Sequence, residues 1–442
     1  MPAVATARSL EELIRSRIAT VGVIGLGYVG LPLVAGFARA GFPVLGFDID
    51  PSKVSSLEAN RSYIAHFPDT VLEELHRERR LQATGDFSRV AEADAVLVCV
   101  PTPLTPNREP DLSYIESTAR QIAAAARPGQ LIVLESTTYP GTTEEVFIPA
   151  LEGAGLAIDR DFFLAYSPER EDPNNPEFTL RTIPKVVGGV TPRSGEIALL
   201  LYSAVVDRVV PVSNARVAEA AKLLENVFRS VNIALVNELK ICFDKMGLSV
   251  WEVLDAASTK PFGFMRFDPG PGWGGHCIPV DPFYLTWKAR QYGVTTRFIE
   301  LAGEINTRMP EWVVGKLSDA LNERGKSVKM SRILVVGVAY KKNVDDVRES
   351  PALEIIELLL AKGAEVRYHD PHVPQIPRTR RHSLDLKSTA LDDPAIAASD
   401  AVLIVTDHDA IDYAKLAAAA SLIVDTRNSF GKRQLAFGGV LA

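Results

Sequence analysis

Hydrophobic residues in the first 200 positions form short continuous runs separated by longer segments with a helical period. Residues 19–50, "ATVGVIGLGYVGLPLVAGFARAGFPVLGFDID", contain an apolar run, a glycine-rich turn, a helical segment and a second apolar run. Three further runs of strand length follow, "DAVLVCV", "LIVLE" and "FFLAY". Continuous apolar runs of this length indicate strands buried on both faces, as in parallel sheets covered by helices. The pattern therefore predicts an α/β domain with a doubly wound sheet.

A long helix is predicted over residues 214–247, "NARVAEAAKLLENVFRSVNIALVNELKICFDKMG". Its apolar residues recur every three or four positions, Asn214 is suited to cap its start and Gly247 to end it. Lys222 and Asn226 are four positions apart and share one face. Spacing alone favours a solvated surface position for Lys222, while its apolar neighbours would allow a partly desolvated one. A helix of this length is typical of a domain connection or an oligomer interface.

The last third of the chain repeats the order strand, turn, helix, strand. Residues 332–371, "RILVVGVAYKKNVDDVRESPALEIIELLLAKGAEVRYHDP", have this pattern without GxGxxG after the first strand, and "DAVLIVTDHD" and "LIVDTRN" supply further strands. The sequence thus predicts two Rossmann-like doubly wound domains joined by a long central helix. We expect boundaries at 1–212, 213–312 and 313–442.

Composition narrows the class of protein. A chain of 442 residues is long enough for two or three domains. The formal net charge of -7 argues against a general nucleic-acid or membrane-surface binder, and the N-terminus lacks the apolar core of a signal peptide. No uncharged apolar run reaches membrane-spanning length. Three cysteines are too few for a disulfide framework, which predicts a cytoplasmic protein, and Cys99 and Cys242 are expected to pack in apolar surroundings.

The first apolar run ends in a glycine motif with a specific chemistry. This GxGxxG turn consists of Gly25, Leu26, Gly27, Tyr28, Val29 and Gly30. Such glycines allow a tight turn, close approach of a pyrophosphate and packing of the following helix. Asp48 follows the second strand at nearly the spacing expected for a carboxylate on the ribose hydroxyls, which favours NAD over its 2′-phosphorylated form. Lys53 weakens that preference slightly.

Polar residues follow the next three predicted strands. Thr102, Thr137 and Glu169 come shortly after "DAVLVCV", "LIVLE" and "FFLAY". In an open parallel sheet, ligands bind beyond the carboxyl ends of the strands, so these residues are expected near the glycine turn. For the two threonines, a capping or turn hydroxyl is an equally good interpretation.

Cys277 lies in a loop of glycines and prolines, "GPGWGGHCIPVDP" at 270–282. A protease-like dyad is disfavoured because His276 is adjacent in sequence and a third member is missing. A zinc site would need more cysteines and histidines at ligand spacing. A thiol nucleophile working beside a nicotinamide accounts for both the loop and the glycine turn, with Asp281 placed for proton handling. For the "HDPH" segment at 369–372, a solvated loop is favoured over a metal site, and no metal is predicted.

Five segments together resemble the UDP-glucose/GDP-mannose dehydrogenase superfamily. They are "GVIGLGYVGLP", "SPERED", "AEAAKLLENVFRSVNIALVNEL", "GPGWGGHCIPVDPFYL" and "GVAYKKNVDDVRESP", in family order over nearly the whole chain. The segments "PFGFMRFDPGPGWGGHCIPVDPFYLTWKAR" and "TRFIELAGEIN" look most like the bacterial UDP-N-acetylglucosamine 6-dehydrogenase branch. The resemblance implies an enzyme that oxidises C6 of a UDP-sugar to a carboxylate with NAD, and a homodimer or higher homo-oligomer.

The resemblance also implies residue roles. Cys277 would form a thiohemiacetal and then a thioester, while Asp281 with Lys222 and a water would remove the hydroxyl proton. Lys222 and Asn226 would stabilise oxyanions. Glu169 would assist thioester hydrolysis, and Thr137 would order a water. The residues expected to contact the nicotinamide cofactor are Gly25, Gly27, Tyr28, Val29, Gly30, Asp48, Lys53, Thr102, Thr137 and Arg348. Those expected to contact the sugar nucleotide are Glu169, Arg170, Lys222, Asn226, Arg266, Gly274, Tyr340 and Lys341.

Other activities stay open on the sequence. UDP-glucose, UDP-GalNAc or UDP-ManNAc are alternative substrates. A dehydrogenase that stops at the aldehyde and a non-catalytic nucleotide-sugar-binding protein are alternatives to the full oxidase.

Overall fold

The computed structural model describes residues 9–64, 67–105, 107–171, 178–275, 278–379 and 381–442, and the chain divides into two units. The first unit consists of Met1–Glu225 and Trp287–Gly293, and the second of Asn226–Thr286 and Val294–Ala442. The three domain boundaries expected from the sequence stay a prediction.

The first unit is built on an eight-stranded sheet. Its strands are β1 Val21–Ile24, β2 Val44–Phe47, β3 Leu81–Thr84, β4 Ala95–Val98, β5 Gln130–Leu134, β6 Phe162–Tyr166, β7 Lys185–Gly189 and β8 Val209–Pro211. The spatial order is β3-β2-β1-β4-β5-β6-β7-β8. All neighbours pair in parallel except β6 and β7. The predicted runs became β1, β2, β4, β5 and β6, whereas β3, β7 and β8 were missed.

Helices cover both faces of this sheet. They are α1 Leu10–Arg15, α2 Gly30–Arg39, α3 Pro51–Glu58, α4 Asp69–Arg77, α5 Ser113–Ala125, α6 Ile148–Gly153 and α7 Pro192–Tyr202, with short helical turns at Phe87–Glu92 and Thr143–Phe147. Successive strand residues point to opposite faces. Leu97 accordingly packs in one core with α2, α4 and α7, and Val98 in another with α5 and α6. The doubly wound prediction is confirmed.

Two helices contain residues of both units, α8 Ala215–Lys245 and α10 Asp281–Gln291. Asn214 caps α8 as predicted, since its Oδ1 accepts the N–H of Val217 at 3.0 Å. Gly247 follows the helix with a φ of 71°, a conformation that glycine adopts without strain. The prediction that Cys242 packs in apolar surroundings is wrong because this residue is exposed.

The second unit contains a smaller sheet in which every pair of neighbours is parallel. Its strands are β9 Arg332–Val336, β10 Glu365–His369, β11 Ala401–Ile404, β12 Ile423–Asp425 and β13 Gly439–Leu441, in the order β10-β9-β11-β12-β13. The other helices are α9 Val250–Ser258, α11 Arg297–Asn322, α12 Pro351–Ala361, α13 Asp393–Ala397 and α14 Tyr413–Ala419, with a short turn at Gly431–Arg433. One core lies against α11 and α12 and another against α14, so this sheet is also covered on both faces. Within the described ranges, no helix is long and apolar enough to span a membrane.

Candidate active site

The glycine turn between β1 and α2 is crowded at its first and last glycines and open at the middle one. A Cβ added to Gly25, whose φ is 92°, would lie 2.4 Å from the Cys99 carbonyl oxygen, and one added to Gly30 would lie 1.8 Å from that of Gly25. At Gly27, by contrast, an added Cβ would meet nothing within 4 Å. Tyr28 is half-buried between them. The open side at Gly27 and the adjoining start of α2 fit the diphosphate of a dinucleotide.

The carboxylate expected on the ribose lies beside this turn. Asp48 directly follows β2 and is 5% exposed. Its Oδ2 accepts the Leu26 N–H at 2.9 Å and pairs with Lys53 Nζ at 3.0 Å. The carboxylate is thereby fixed at the turn, and Lys53 places a partly exposed cation on its outer side.

The ends of the next strands lie along the same edge of the sheet. Thr102, Thr137 and Glu169 follow β4, β5 and β6, which are parallel neighbours in a sheet that also contains β1. Thr102 is buried and Thr137 half-buried. Parallel strands end at one edge, so the expectation that these residues gather near the glycine turn agrees with the topology. Their individual roles stay predictions.

Lys222 is buried against the segment that follows β6. It is 7% exposed, and its Nζ donates to the main-chain oxygen of Glu169 at 2.6 Å. The solvated surface position favoured by spacing is therefore wrong. Arg170 is held nearby, pairing with Glu225 at 2.7 Å and donating to the carbonyl of Pro184 at 2.6 Å.

Sequence reasoning missed a buried ion pair behind Glu169. Lys185 Nζ lies 2.6 Å from Glu135 Oε2 and 3.5 Å from Glu169 Oε2. Tyr202 donates its hydroxyl to the other oxygen of Glu135. Two signals were present in the sequence, because "LIVLE" ends in a charge and "KVVGG" begins with one. Their pairing across 50 positions was not visible.

In the second unit, Asn226 and Asp281 form a buried contact. Both are at most 1% exposed, and the Asn226 amide nitrogen donates to Asp281 Oδ2. Arg229 donates to the amide oxygen of Asn226, which orients the amide from both ends. Lys222 and Asn226, the two polar positions of the long helix that the sequence singled out, are therefore both buried. Their functional roles stay predictions.

The glycine loop before Cys277 packs on the segment that follows β9. The Gly270 N–H donates to Asn237 Oδ1 at 2.9 Å, and the Gly275 N–H donates to the Arg348 carbonyl at 3.0 Å. A Cβ on Gly274 would lie 2.8 Å from the Cβ of Tyr340, so close approach requires glycine here. The predicted nucleophile Cys277, with His276, lies outside the described residues.

The remaining predicted substrate and cofactor residues of this unit are basic. Exposed Arg348 makes a two-pronged contact with Asp346, and Arg266 pairs with Asp255 at 2.6 Å and Asp268 at 2.8 Å. Lys341 is half-buried directly after Tyr340. Their ligand contacts stay predictions.

The "HDPH" segment does not form the solvated loop expected from the sequence. Asp370 is 3% exposed, and its Oδ2 accepts the N–H of Val338 at 2.7 Å and contacts His408 Nε2 at 3.0 Å. Residue types that bind metals gather elsewhere, at Glu354, Glu357 and His382, where His382 already shares a 2.9 Å hydrogen bond with Glu357.

Three family models match the chain in order. They describe the NAD binding domain of the UDP-glucose/GDP-mannose dehydrogenase family at residues 19–206, its central domain at 216–308 and its UDP binding domain at 334–432. The chain belongs to this family. It is an NAD-dependent UDP-sugar dehydrogenase, an oxidoreductase, as the sequence predicted.

Curated relatives differ in the sugar that their names specify. A UDP-N-acetyl-D-glucosamine 6-dehydrogenase of Pseudomonas aeruginosa is 36% identical over 390 residues, covering 88% of this chain and 90% of the relative. A UDP-N-acetyl-D-mannosamine dehydrogenase of Escherichia coli K12 is also 36% identical, over 88% of this chain and 94% of its own. A solved UDP-D-ManNAc dehydrogenase from Pyrococcus horikoshii matches with a TM-score of 0.86 and 33% identity, covering 95% and 98% of the two chains.

Proposed function

We propose that this protein oxidises the C6 hydroxyl of UDP-N-acetylglucosamine to a carboxylate, consuming two NAD⁺ and one water and releasing two NADH. The observation that carries the proposal is the buried contact of Lys222 with Glu169 at the carboxyl edge of the NAD-binding sheet. A buried cation at that edge suits an oxidation whose intermediates carry negative charge on oxygen. The choice of sugar rests on the glycine-rich loop, which resembles the N-acetylglucosamine branch.

The first oxidation requires a base for the hydroxyl proton. Asp281 takes this role, with Lys222 and a water, and the Asn226 amide that donates to Asp281 holds the carboxylate in place. NAD⁺, when bound, would supply the hydride acceptor. Gly25, Gly27 and Gly30 would hold its diphosphate together with Tyr28 and Val29, and Asp48 would accept the ribose hydroxyls. Arg348, Thr102 and Lys53 would add contacts.

The second oxidation proceeds through Cys277. Its thiolate adds to the C6 aldehyde to give a thiohemiacetal, and loss of a second hydride leaves a thioester. Lys222 and Asn226 stabilise the oxyanions of these steps. Covalent capture keeps the reactive aldehyde in the site between the two transfers.

Hydrolysis completes the reaction. Water adds to the thioester carbonyl, its proton passes to the Glu169 carboxylate, and the carbon–sulfur bond breaks to release the Cys277 thiolate. Thr137 orders this water. Tyr340, Lys341, Gly274, Arg170 and Arg266 contact the sugar nucleotide.

Two experiments test this function. Cys277→Ser is expected to fold and bind NAD but to lose net acid formation, because an alkoxide is a poor substitute for a thiolate; full acid production by this variant would remove the covalent step. A panel of UDP-GlcNAc, UDP-GalNAc, UDP-ManNAc and UDP-glucose, followed by NADH absorbance, tests the sugar. UDP-ManNAc is the second candidate because relatives carry that name.

We also propose a homodimer or higher homo-oligomer in the cytoplasm. Phe228 and Leu235 on α8 are 45% and 50% exposed, and Phe298 and Leu301 on α11 are 79% and 51% exposed. Exposed apolar side chains of this size favour association. Light scattering on the purified protein measures the state, and a monomer at micromolar concentration would contradict the proposal.

A further inference from the structure

The ion pair behind Glu169 is buried more deeply than an ordinary surface pair. The side chains of Lys185 and Glu135 are 3% and 0% exposed. Lys185 is the first residue of β7, Glu135 follows β5, and Tyr202 closes the cluster from α7. Removing two ions from water is unfavourable, and apolar residues of similar volume often stabilise a fold as well or better. A contribution to folding therefore does not by itself explain this pair.

The cluster lies where it acts on Glu169. Glu169 Oε1 accepts the backbone N–H groups of Arg170 and Glu171, both at 2.6 Å, which fixes one carboxylate oxygen. The other oxygen, Oε2, faces the Lys185 ammonium at 3.5 Å. Lys222 reaches the same residue at its main-chain oxygen instead. Lys185 is thus the cation placed on the side chain, while Lys222 anchors the backbone.

The charges around Glu169 favour its ionised form. Burial alone would raise the pKa of Glu169, but the Lys185 charge, the Glu171 N–H, the Lys222 charge and the Arg170 N–H together hold that pKa below its usual range. The next carboxyl shows the opposite: burial and the Glu169 charge raise the pKa of Glu171 to about 7. Burial lowers the pKa of Lys185, but Glu135 and Glu169 outweigh it and raise that pKa, so the ammonium stays charged.

Titratable groups on several neighbouring elements act on this carboxylate. Glu135 approaches from β5 and Cys99 from the end of β4, in addition to Lys185 from β7 and Lys222 from α8. The Cys99 thiol stays neutral because burial, first of all, raises its pKa well above the ordinary value. Glu135 is an opposing charge, and Glu171 becomes a second one as pH rises through about 7. The 2.6 Å contact of Glu135 with Lys185 is shorter than the Lys185–Glu169 distance of 3.5 Å.

We propose that Lys185 is a positioning residue that keeps Glu169 ionised and oriented to accept the proton of the hydrolytic water, with Glu135 and Tyr202 fixing the ammonium. This inference rests on the proposed function. It adds a second buried lysine to the reaction, one that touches neither the sugar nor the cofactor in this account and acts through Glu169. Nothing is oxidised or reduced in the step, which transfers a proton from water to a carboxylate.

The test compares Lys185→Met with Lys185→Arg in the full-length enzyme. Without the ammonium, Glu169 should bind a proton more tightly. The acidic limb of the pH dependence of kcat should therefore move to higher pH by about one unit, which lowers the rate on that limb roughly tenfold. Hydrolysis should then become the slow step. Stopped-flow mixing of Lys185→Met at a pH on the shifted acidic limb, below about pH 5, should show a burst of about two NADH per subunit before a slow steady state. Lys185→Arg should restore the wild-type profile.

Lys288→Met provides a matched control. Lys288 is another buried lysine of the first unit, paired with Glu145 at 2.6 Å and outside this cluster. The Lys288→Met variant should be less stable than wild type, but its pH dependence of kcat should keep the wild-type acidic limb and it should show no NADH burst. If Lys185→Met fails to fold, the double variant Glu135→Gln/Lys185→Met leaves neither charge of the pair and should still shift the limb upward.

The outcomes separate the inference from the proposed function. A wild-type enzyme that forms one NADH per sugar would overturn the proposed function whatever Lys185 does. A wild-type enzyme that forms two, with a Lys185→Met or double variant showing an unshifted limb and no burst, would overturn the role of Lys185 alone. A shift equal in Lys185→Arg and Lys185→Met would also overturn it, because the charge would then not matter.

Discussion

In both sheets of this protein, a glycine with positive φ follows the first strand, but the surroundings of the two turns differ. Gly25 after β1 and Gly337 after β9 have φ angles of 92° and 81°, and each donates its N–H at 2.8 Å to the last residue of the neighbouring strand, Phe47 or His369. A Cβ would lie 2.4 Å from a carbonyl oxygen at Gly25 and 2.3 Å from one at Gly337. Both glycines are thus required by the same close crossing of strand ends.

An aspartate follows the second strand in each case. Asp48 accepts the Leu26 N–H at 2.9 Å, and Asp370 accepts those of Val338 and Ala339 at 2.7 and 3.1 Å. They differ in what covers the other side of the carboxylate.

Beside Asp48 lie Lys53, which is 33% exposed, and the open position at Gly27. Asp370 is sealed by His408, and both side chains are fully buried. His408 Nδ1 in turn accepts the Asn343 N–H at 2.9 Å. The first carboxylate is available to a cofactor, while the second has become a structural link to the segment 340–343. Shared topology therefore does not imply shared ligand.

The largest effect is expected at the sealed aspartate. Asp370→Ala leaves the buried His408 and four backbone N–H groups without their acceptor and should cost about 3–5 kcal/mol of the free energy of unfolding. Burial opposes the ionisation of Asp370, but the hydrogen bond from His408 and the backbone N–H groups of Val338 and His372 hold the pKa of Asp370 below its usual range. Its stabilising contribution is therefore complete above the ordinary pKa of about 3.9 and lost as pH falls through the lower folded value.

Urea titration measures the expected loss of stability in Asp370→Ala, and a binding titration measures its affinity for NAD. NAD affinity of the folded fraction should stay within about threefold of wild type, since Asp370 contacts no cofactor in this account. A stable Asp370→Ala protein with weakened NAD binding would reverse the assignment of the two sheets.

A smaller effect in free energy, but a specific one, is expected at the open aspartate. Asp48→Ala should weaken NAD binding about 10- to 100-fold, because it removes the ribose acceptor and a charged partner of the turn. Affinity for the UDP-sugar should change little. Calorimetric titration with each ligand distinguishes the two, and equal losses for both would reject the ribose role.

The smallest effect is expected from a methyl group at the turn. Gly27→Ala has room in the free protein, so the free energy of unfolding should change by less than about 1 kcal/mol. The methyl would occupy the path of the diphosphate, and NAD affinity should fall by roughly tenfold. Gly25→Ala is the matched control and should destabilise the protein because of its positive φ and close contact. Unchanged NAD affinity in Gly27→Ala would place the diphosphate elsewhere.

Local patterns predicted the fold well and the site only in part. Continuous apolar runs and the period of α8 depend on neighbouring residues, so β1, β2, β4, β5, β6 and the capping by Asn214 could be predicted. The burial of Lys222 depends on the segment after β6, 53 positions away, and spacing on one helix favoured the wrong environment.

Similar long-range contacts explain the other errors. The pairing of Glu135 with Lys185 spans 50 positions, and the burial of Asp370 depends on His408 from beyond β11. A polar segment such as "HDPH" carries no local sign of such a partner. Cys242 was predicted to be packed but is exposed. The helical period identifies an apolar face of α8 but does not show whether another part of the protein covers it.

Counting the NADH formed per sugar distinguishes a four-electron oxidase from a dehydrogenase that stops at the aldehyde and from a binding protein. A limiting amount of UDP-N-acetylglucosamine, incubated to completion with excess NAD⁺, should yield two NADH and one uronic acid for each sugar. One NADH per sugar with free aldehyde, or none, would contradict the account.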